Sequence, residues 1–365
     1  MNRMNRYLVP KTGWQFLDLA KAYGLGIVVR TLSKEAVIAD TGSYYEIRSR
    51  NELDFSKLSK IEGYLGKDIE EWANVLGTLK SKDREGIRKD MEEFLTDEDR
   101  IKRIFEHKLD GGTVLIDNLT GKSVTLPQSL ELGASKGIRV EIPKAIREKR
   151  GEIVPASLRE SQVKIPAEEL YLAVLGAINI SVWKGSKEYV VAVYPLPLDT
   201  RVEDIYAIKH RLKESVKGFH RAGYFSTVAR IAVRLVKEEK ELMRGGSFLP
   251  KIGGILYGVM MRTGNQPKPF TSGLFPLDFL HSLVETLEGE EAIDKWTEIL
   301  DRTSYIKGYE DIAMALSKFI AEPTLENYYS YIRLHLRNEL RSNSIKFGSY
   351  DADSLLEVLK NVEVS

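Results

Sequence analysis

The sequence predicts a mixed α+β fold, with an N-terminal mixed domain of antiparallel hairpins and helices followed by a C-terminal helical bundle. Short β-branched and aromatic runs, bounded by turn-forming residues, recur through the first part of the chain. From Pro276 onward the periodicity is helical, and the breaks fall at glycine or proline. We therefore predict two domains, residues 1–275 and residues 276–365.

The N-terminal elements follow from local periodicity. Helical spacing over residues 11–23 predicts a helix, which the segment Gly24–Gly26 is expected to end because glycine favours helix C-termini. The runs Ile27–Leu32, Ala36–Ala39 and Tyr44–Arg48 then predict a small antiparallel meander.

Two more hairpins are predicted further along the chain, after a mostly helical stretch at residues 51–110. The first joins Thr113–Ile116 to Lys122–Leu126 through a turn-rich connection. The second joins Ala177–Val182 to Tyr189–Tyr194. The remaining segments before Pro276 are predicted as a loop at 127–165, helices at 167–175, 202–217 and 224–243, an apolar run at 255–261 and a loop at 262–270.

The C-terminal domain is predicted to be helical throughout. Glycine and proline divide it into five segments, at about 276–288, 290–302, 308–320, 324–341 and 351–361.

Composition excludes several kinds of chemistry. The chain of 365 residues contains no cysteine, which excludes disulfides, cysteine zinc sites, iron–sulfur clusters and thiol nucleophiles. Its five histidines are scattered, and neither a phosphate-binding P-loop nor a nucleophile elbow occurs. We therefore expect no cofactor or bound metal, and the motifs contain no enzyme signature. Without a signal peptide or a long apolar span, a cytoplasmic location with no membrane partner is expected.

Charge is strongly segregated although the formal net charge is only +1. Residues 201–244 hold eleven Lys or Arg against six Asp or Glu, and residues 136–150 hold six against two. Residues 276–326 hold four against twelve. Gathered cations favour binding to a polyanion, because each neutralised phosphate releases counterions. The basic segments lie in residues 1–275, which we expect to be the domain that contacts nucleic acid.

Cationic side chains in five places are candidates for phosphate contacts. Arg230 and Arg234 lie one helical turn apart in the predicted helix 224–243. Lys237 lies on the same face of that helix. A second arginine stripe, at 333, 337 and 341, lies on a C-terminal helix. An ordinary solvated helix face explains either stripe equally well. The other candidates lie in three predicted loops, and they are Lys184 and Lys187 beside Trp183, Arg221 in a glycine-flanked segment, and Arg262.

The predicted loop at 262–270 also carries candidates for reading base edges. Asn265 and Gln266 present paired donor and acceptor groups, and Lys268 can contact guanine. Two prolines stiffen this segment and so lower the entropy cost of ordering it on binding.

The opening stretch carries a resemblance to a known family. Its residues are the helix end Leu19–Gly26, the strand Val37–Asp40 and the turn Thr41–Tyr45. They resemble the start of the archaeal large subunit of the type I-A CRISPR Cascade interference complex (the Csa-type large subunit family). Over the rest of the chain the resemblance extends to length and architecture, not to motifs.

The resemblance implies a non-catalytic subunit of an RNA-guided DNA surveillance complex in antiviral defence. Its partners would be crRNA, target double-stranded DNA, the backbone and small subunits of the complex, and the CRISPR-associated helicase and HD nuclease. The subunit would contact the protospacer-adjacent motif, assist duplex opening and support recruitment of the helicase and nuclease, while base pairing reads the target sequence.

Two other functions remain open from the residues alone. A metal-dependent nuclease could assemble its site from dispersed carboxylates. A protein–protein scaffold without nucleic-acid contact could use the acidic segment 276–326 as its working surface.

Overall fold

A computed structural model describes most of the chain. The described residues are 4–11, 15–65, 81–109, 111–116, 123–127, 162–242, 249–263, 266–341, 345–348 and 352–362. The predicted basic segment 136–150 lies outside them. Within them the α+β prediction is confirmed, because antiparallel strands and helices come first and a helical region follows.

The bounds of the elements differ from the prediction at several points. In chain order the elements are β1 (Asn5–Pro10), α1 (Gln15–Ser33), β2 (Val37–Asp40), β3 (Tyr44–Ser49), a 3-10 helix (Phe55–Tyr64), α2 (Ser81–Thr96), α3 (Glu98–Ile104), β4 (Val114–Leu115), β5 (Ser123–Pro127), β6 (Gln162–Pro166), α4 (Ala167–Ile180), β7 (Val182–Gly185), β8 (Tyr189–Pro197), β9 (Thr200–Arg201), α5 (Val202–Ser215), α6 (Tyr224–Leu242), β10 (Ile252–Thr263), β11 (Gln266–Pro276), α7 (Asp278–Leu283), α8 (Leu287–Thr303), α9 (Glu310–Ala321), α10 (Leu325–Leu340) and α11 (Ala352–Lys360).

Helix α1 overturns the first prediction, because it continues through Gly24 and Gly26 to Ser33. The predicted helix end and the strand at Ile27–Leu32 are therefore wrong. Nearly every residue of α1 is buried, and a helix that is buried all round has apolar residues on most of its sides, so it shows no helical periodicity after residue 23.

The helices α1 and α4 pack backbone to backbone. A Cβ atom on Gly24 would lie 1.8 Å from the Leu172 carbonyl oxygen, and one on Gly176 would lie 1.9 Å from the Ala20 carbonyl oxygen. The two glycines are therefore required by close approach and not by a turn. Beside them a buried ion pair joins the helices, with Lys21 Nζ 2.8 Å from a carboxylate oxygen of Glu169.

The first sheet has five strands in the order β4-β1-β3-β2-β9. The predicted hairpin of β2 and β3 is confirmed, with Ile38 opposite Ile47. The predicted hairpin of β4 and β5 is wrong, because β4 pairs in parallel with β1 and β5 pairs with β6. Pairing with β1 places Val114 in the core beside Tyr7, a burial that a local hairpin would not provide.

The second sheet has four strands in the order β11-β10-β8-β7. The predicted second hairpin is present as β7 and β8, but its first strand starts only at Val182, because α4 extends to Ile180. The loop predicted at 262–270 is largely strand, since β10 ends at Thr263 and β11 begins at Gln266. Strand β11 lies at the edge of the sheet, which is where strands accommodate proline.

The chain forms two compact units, and the boundaries differ from those predicted. The first unit comprises Met1–Trp183, Lys187–Lys209 and Leu256–Gly273, and the second comprises Lys184–Ser186, His210–Ile255 and Leu274–Ser365. The prediction placed α6 in the N-terminal domain. The structure instead packs α6 against α8 and α9 of the C-terminal region. Among the described residues no helix is long and apolar enough to span a bilayer.

Candidate nucleic-acid interface

The basic stripe of α6 is engaged in ion pairs within the second unit. Arg230 Nε lies 2.6 Å from Asp301 Oδ1, and Arg234 pairs with the other oxygen of the same carboxylate. Arg230 is only 5% exposed, and it also donates a hydrogen bond to the carbonyl oxygen of Lys217 at 2.9 Å.

The same pairing continues along the two helices. Lys237 pairs with Asp294, and Lys240 Nζ lies 2.9 Å from Glu290 Oε1. The positive charges of α6 and the negative charges of α8 therefore neutralise each other. The phosphate contacts predicted for Arg230 and Arg234 are corrected accordingly, because neither guanidinium lies on an open cationic face.

Arg221 lies at the surface of the second unit, in the connection between α5 and α6. Two glycines with positive φ, Gly218 at 70° and Gly223 at 106°, shape this connection. His220 anchors it, because its buried ring lies 3.0 Å from the Leu300 carbonyl oxygen. The Arg221 side chain is 46% exposed, with Nε 3.8 Å from Glu310 Oε1. It is a surface cation with one carboxylate beside it.

The two lysines of the β7–β8 hairpin differ in their surroundings. Lys187 lies in the turn and is exposed, whereas Lys184 is half-buried in β7. Trp183, predicted as a stacking residue at the hairpin tip, is instead partly buried against the hydrophobic core of the first unit. The hairpin therefore offers an exposed cation but no exposed indole.

Arg262 lies beside this hairpin tip. Its backbone N–H donates to the carbonyl oxygen of Glu188 at 2.6 Å, so the end of β10 meets the start of β8. The Arg262 side chain is exposed, as is that of Lys187 next to Glu188. The structure thus places two exposed cations that are 75 positions apart in the chain near the same strand ends, together with the exposed Glu188.

An aromatic pair that the sequence did not reveal adjoins these cations. The rings of Tyr189 and Phe270 meet edge to face, with centroids 5.5 Å apart, and Phe270 is 42% exposed. We call Lys187, Tyr189, Arg262 and Phe270 the sheet-end surface. The sequence gives little sign of this ring pair, because Tyr189 and Phe270 are 81 positions apart and each simply follows a charged loop segment.

The residues predicted to read base edges belong to the adjoining part of the second sheet. Asn265 lies outside the described residues, between β10 and β11. Gln266 and Lys268 are among the first three residues of β11, which pairs with β10. Their chain segment therefore starts next to the strand end that carries Arg262. Across the described part of the chain, no group of three or more His, Asp or Glu side chains is placed to hold a metal ion.

The fold and this surface define a two-unit α+β protein with a cationic and aromatic sheet end. Over 368 aligned residues, the chain is 43% identical to an uncharacterized protein of Archaeoglobus fulgidus, and the match covers all of both chains. The chain therefore belongs to the same family as this archaeal protein. No protein-family model matches the sequence.

Proposed function

We propose that this protein is a non-catalytic subunit of an RNA-guided DNA surveillance complex and contacts nucleic acid through the sheet-end surface. One observation carries the proposal, namely that Lys187 and Arg262 lie together beside the Tyr189–Phe270 ring pair. Cations neutralise phosphates, and an exposed ring can stack on a base. The kind of complex is taken from the resemblance of the first 45 residues to the CRISPR large subunits. That resemblance now rests on the residue pattern, because Leu19–Gly26 lies inside α1 and not at a helix end.

The proposed partners are crRNA, target double-stranded DNA and the other subunits of the complex, including the helicase and the HD nuclease. In this role the protein reads a short motif in duplex DNA and assists its opening, while the guide reads the sequence. Arg221 of the second unit is a candidate for a further phosphate contact, because its side chain is exposed.

The first test measures binding of the full chain to labelled duplex and single-stranded DNA by fluorescence anisotropy. We expect affinity to fall steeply between about 50 and 200 mM salt, because binding releases counterions. The double variant Lys187→Glu, Arg262→Glu should bind at least about tenfold more weakly, since it reverses two phosphate-facing charges. Lys60→Glu, at an exposed position of the 3-10 helix in the same unit, is the matched control.

Equal binding by the double variant and the control would overturn the assignment of the sheet-end surface. Salt-insensitive binding, or none in the presence of the crRNA-bearing backbone subunits, would overturn the proposed function. Divalent-dependent DNA cleavage by the purified chain would replace it with the nuclease alternative.

A second test separates motif reading from general affinity. Replacement of Asn265, Gln266 and Lys268 by alanine should reduce binding to motif-bearing duplexes while binding to motif-free duplexes changes little, because base contacts carry the specificity. The measurement is the ratio of the two dissociation constants within the assembled complex. An unchanged ratio would contradict the base-reading role of this segment.

A further inference from the structure

Helix α10 has two faces of different character. One face is buried in the second unit, where the Tyr328 ring meets Phe319 at 5.4 Å and Tyr331 stacks on Phe319 at 6.3 Å. The opposite face exposes large apolar side chains, with Tyr329 at 65%, Leu336 at 55% and Leu340 at 87% of their area. The helix is thus anchored on one side and uncovered on the other.

The exposed side chains form one continuous stripe. Tyr329, Arg333, Leu336 and Leu340 follow one another at intervals of four, three and four residues, which align along a single helix face. We call these four residues together with Arg337 the α10 stripe. Leucines placed in this way resemble the anchor positions by which one helix receives another.

The charge of this helix face is nearly all of one sign. Arg333, Arg337 and Arg341 are exposed, and Glu326 is the exposed carboxylate of the same helix. The arginines of α6 pair with α8, but neither Arg333 nor Arg337 forms an ion pair within the part of the chain that is described. The α10 stripe therefore combines an apolar ridge with flanking positive charge.

We propose that the α10 stripe docks an acidic amphipathic helix of a partner protein. Leu336 and Leu340 would be covered by apolar side chains of that helix, and its carboxylates would pair with Arg333 and Arg337. Removing the apolar area from water favours association, and complementary charges select the partner. This interaction goes beyond the proposed function and requires no nucleic acid.

Two other occupants fit the stripe less well. A phosphate backbone would satisfy the arginines but offers no apolar surface to cover two leucines that are more than half exposed. A second copy of the chain would bring Arg333, Arg337 and the adjoining Arg341 against the same three residues, with a single exposed carboxylate on each helix to offset them. Like charges oppose that pairing, so an acidic protein helix is the occupant that matches both features.

The test uses the full-length protein and three labelled helical peptides of about 16 residues, the length of α10. The first carries leucines at three- and four-residue spacing flanked by glutamates. The second replaces the glutamates with lysines, and the third replaces the leucines with serines. Fluorescence anisotropy should detect binding of the first peptide alone.

Variants of the stripe then separate its two components. The double variant Leu336→Ser, Leu340→Ser should weaken binding of the acidic leucine peptide at least tenfold. The charge-reversal double variant Arg333→Glu, Arg337→Glu should weaken it by at least the same factor. The charge reversal should also gain binding of the lysine peptide, which a merely structural defect would not produce. Leu287→Ser, at a 76% exposed leucine of α8, is the matched control, and circular dichroism checks the folding of every variant.

Three results would overturn the proposal. The first is failure of the acidic leucine peptide to bind, or equal binding by all variants. The second is loss of DNA binding in Leu336→Ser, Leu340→Ser, which would assign the stripe to nucleic acid. The third is a concentration-dependent dimer, seen by light scattering, that the same double variant abolishes. None of these results depends on Lys187 or Arg262, so failure here and failure of the proposed function are distinguishable.

Discussion

At Gly24 and Gly176 the lack of a side chain allows α1 and α4 to touch, because a Cβ atom at either position would overlap a carbonyl oxygen of the other helix. From the sequence, Gly24 is indistinguishable from a helix-ending glycine. Its role depends on a contact with residues about 150 positions away, which no local pattern contains. This is why the prediction ended the helix too early.

Gly24→Ala should lower the free energy of unfolding by about 1–3 kcal/mol, because the two backbones must move apart. Gly86→Ala in α2 is the matched control, since nothing lies within 4 Å of a Cβ placed there. The control should raise stability by about 0.5–1 kcal/mol, as alanine favours a helix interior. Urea unfolding of both variants would check this, and equal effects would contradict the close-packing role.

His220 makes stability depend on pH. Burial, with a smaller effect of the nearby Arg230 charge, lowers the pKa of His220 from 6.5 to about 4. Its neutral form fits the surroundings, because Nε2 can donate to the Leu300 carbonyl while Nδ1 accepts from the Ala222 N–H at 3.0 Å.

Because the pKa is lowered on folding, the unfolded chain takes up a proton between pH 6.5 and 4 that the folded protein does not. The stabilisation of the folded protein by neutral His220 is fully present above pH 6.5. As the pH falls towards 4, the free energy of unfolding decreases by on the order of 3 kcal/mol. His220→Gln should therefore show a flatter fall in unfolding free energy with acidification than the wild type. His210→Gln, at a 69% exposed side chain, is the control substitution, and equal slopes in His220→Gln and the wild type would contradict the assignment.

At the scale of elements, the contact between α6 and α8 decides what the charged segments do. The sequence contains a basic segment and an acidic segment, and a pattern of this kind suggests two separate charged surfaces. In the structure these two segments contain α6 and α8, which pack together so that their opposite charges form ion pairs. Composition could not choose between these interpretations, because the choice depends on whether the two helices meet.

The ion pairs of α6 should differ in their contribution to stability according to burial. Asp301→Asn leaves the buried Arg230 without its carboxylate and should cost about 3–5 kcal/mol of unfolding free energy. Asp294→Asn removes the partner of Lys237 at a 63% exposed carboxylate and should cost less than about 1 kcal/mol. Chemical denaturation of both variants is the measurement, and comparable losses would show that the pair with Arg230 has no special role.

The helices and strands were predicted best where periodicity is local. The C-terminal helices, the β2–β3 hairpin and the β7–β8 connection follow directly from spacing and turn residues. The pairings of β4 with β1 and of β5 with β6 bring together strands that are distant in sequence, and local signals favoured the wrong hairpin. In the candidate site, Lys187 and Arg262 could be predicted from their charges. The contact between Tyr189 and Phe270 could not, because it depends on how the strands are arranged in the sheet.

At the scale of the whole molecule, the division into units makes the C-terminal region dependent on α6. Residues 276–365 contain acidic α8 but lack the helix that neutralises it. As an isolated fragment they should show little cooperative helical melting by circular dichroism, because an apolar face and several carboxylates lose their partner. Addition of a peptide spanning 210–255 should restore melting. A fragment that melts cooperatively alone would instead support the boundary predicted from sequence.

The edge position of β11 has a consequence for solubility. Pro267 and Pro269 lie two residues apart in this outermost strand, so both remove a backbone donor from the same side of it. Edge strands place proline with its missing donor turned away from the ladder, so we expect these two prolines to reduce pairing by an incoming strand. Replacing both prolines by valine should therefore make the chain more prone to form fibrous aggregates.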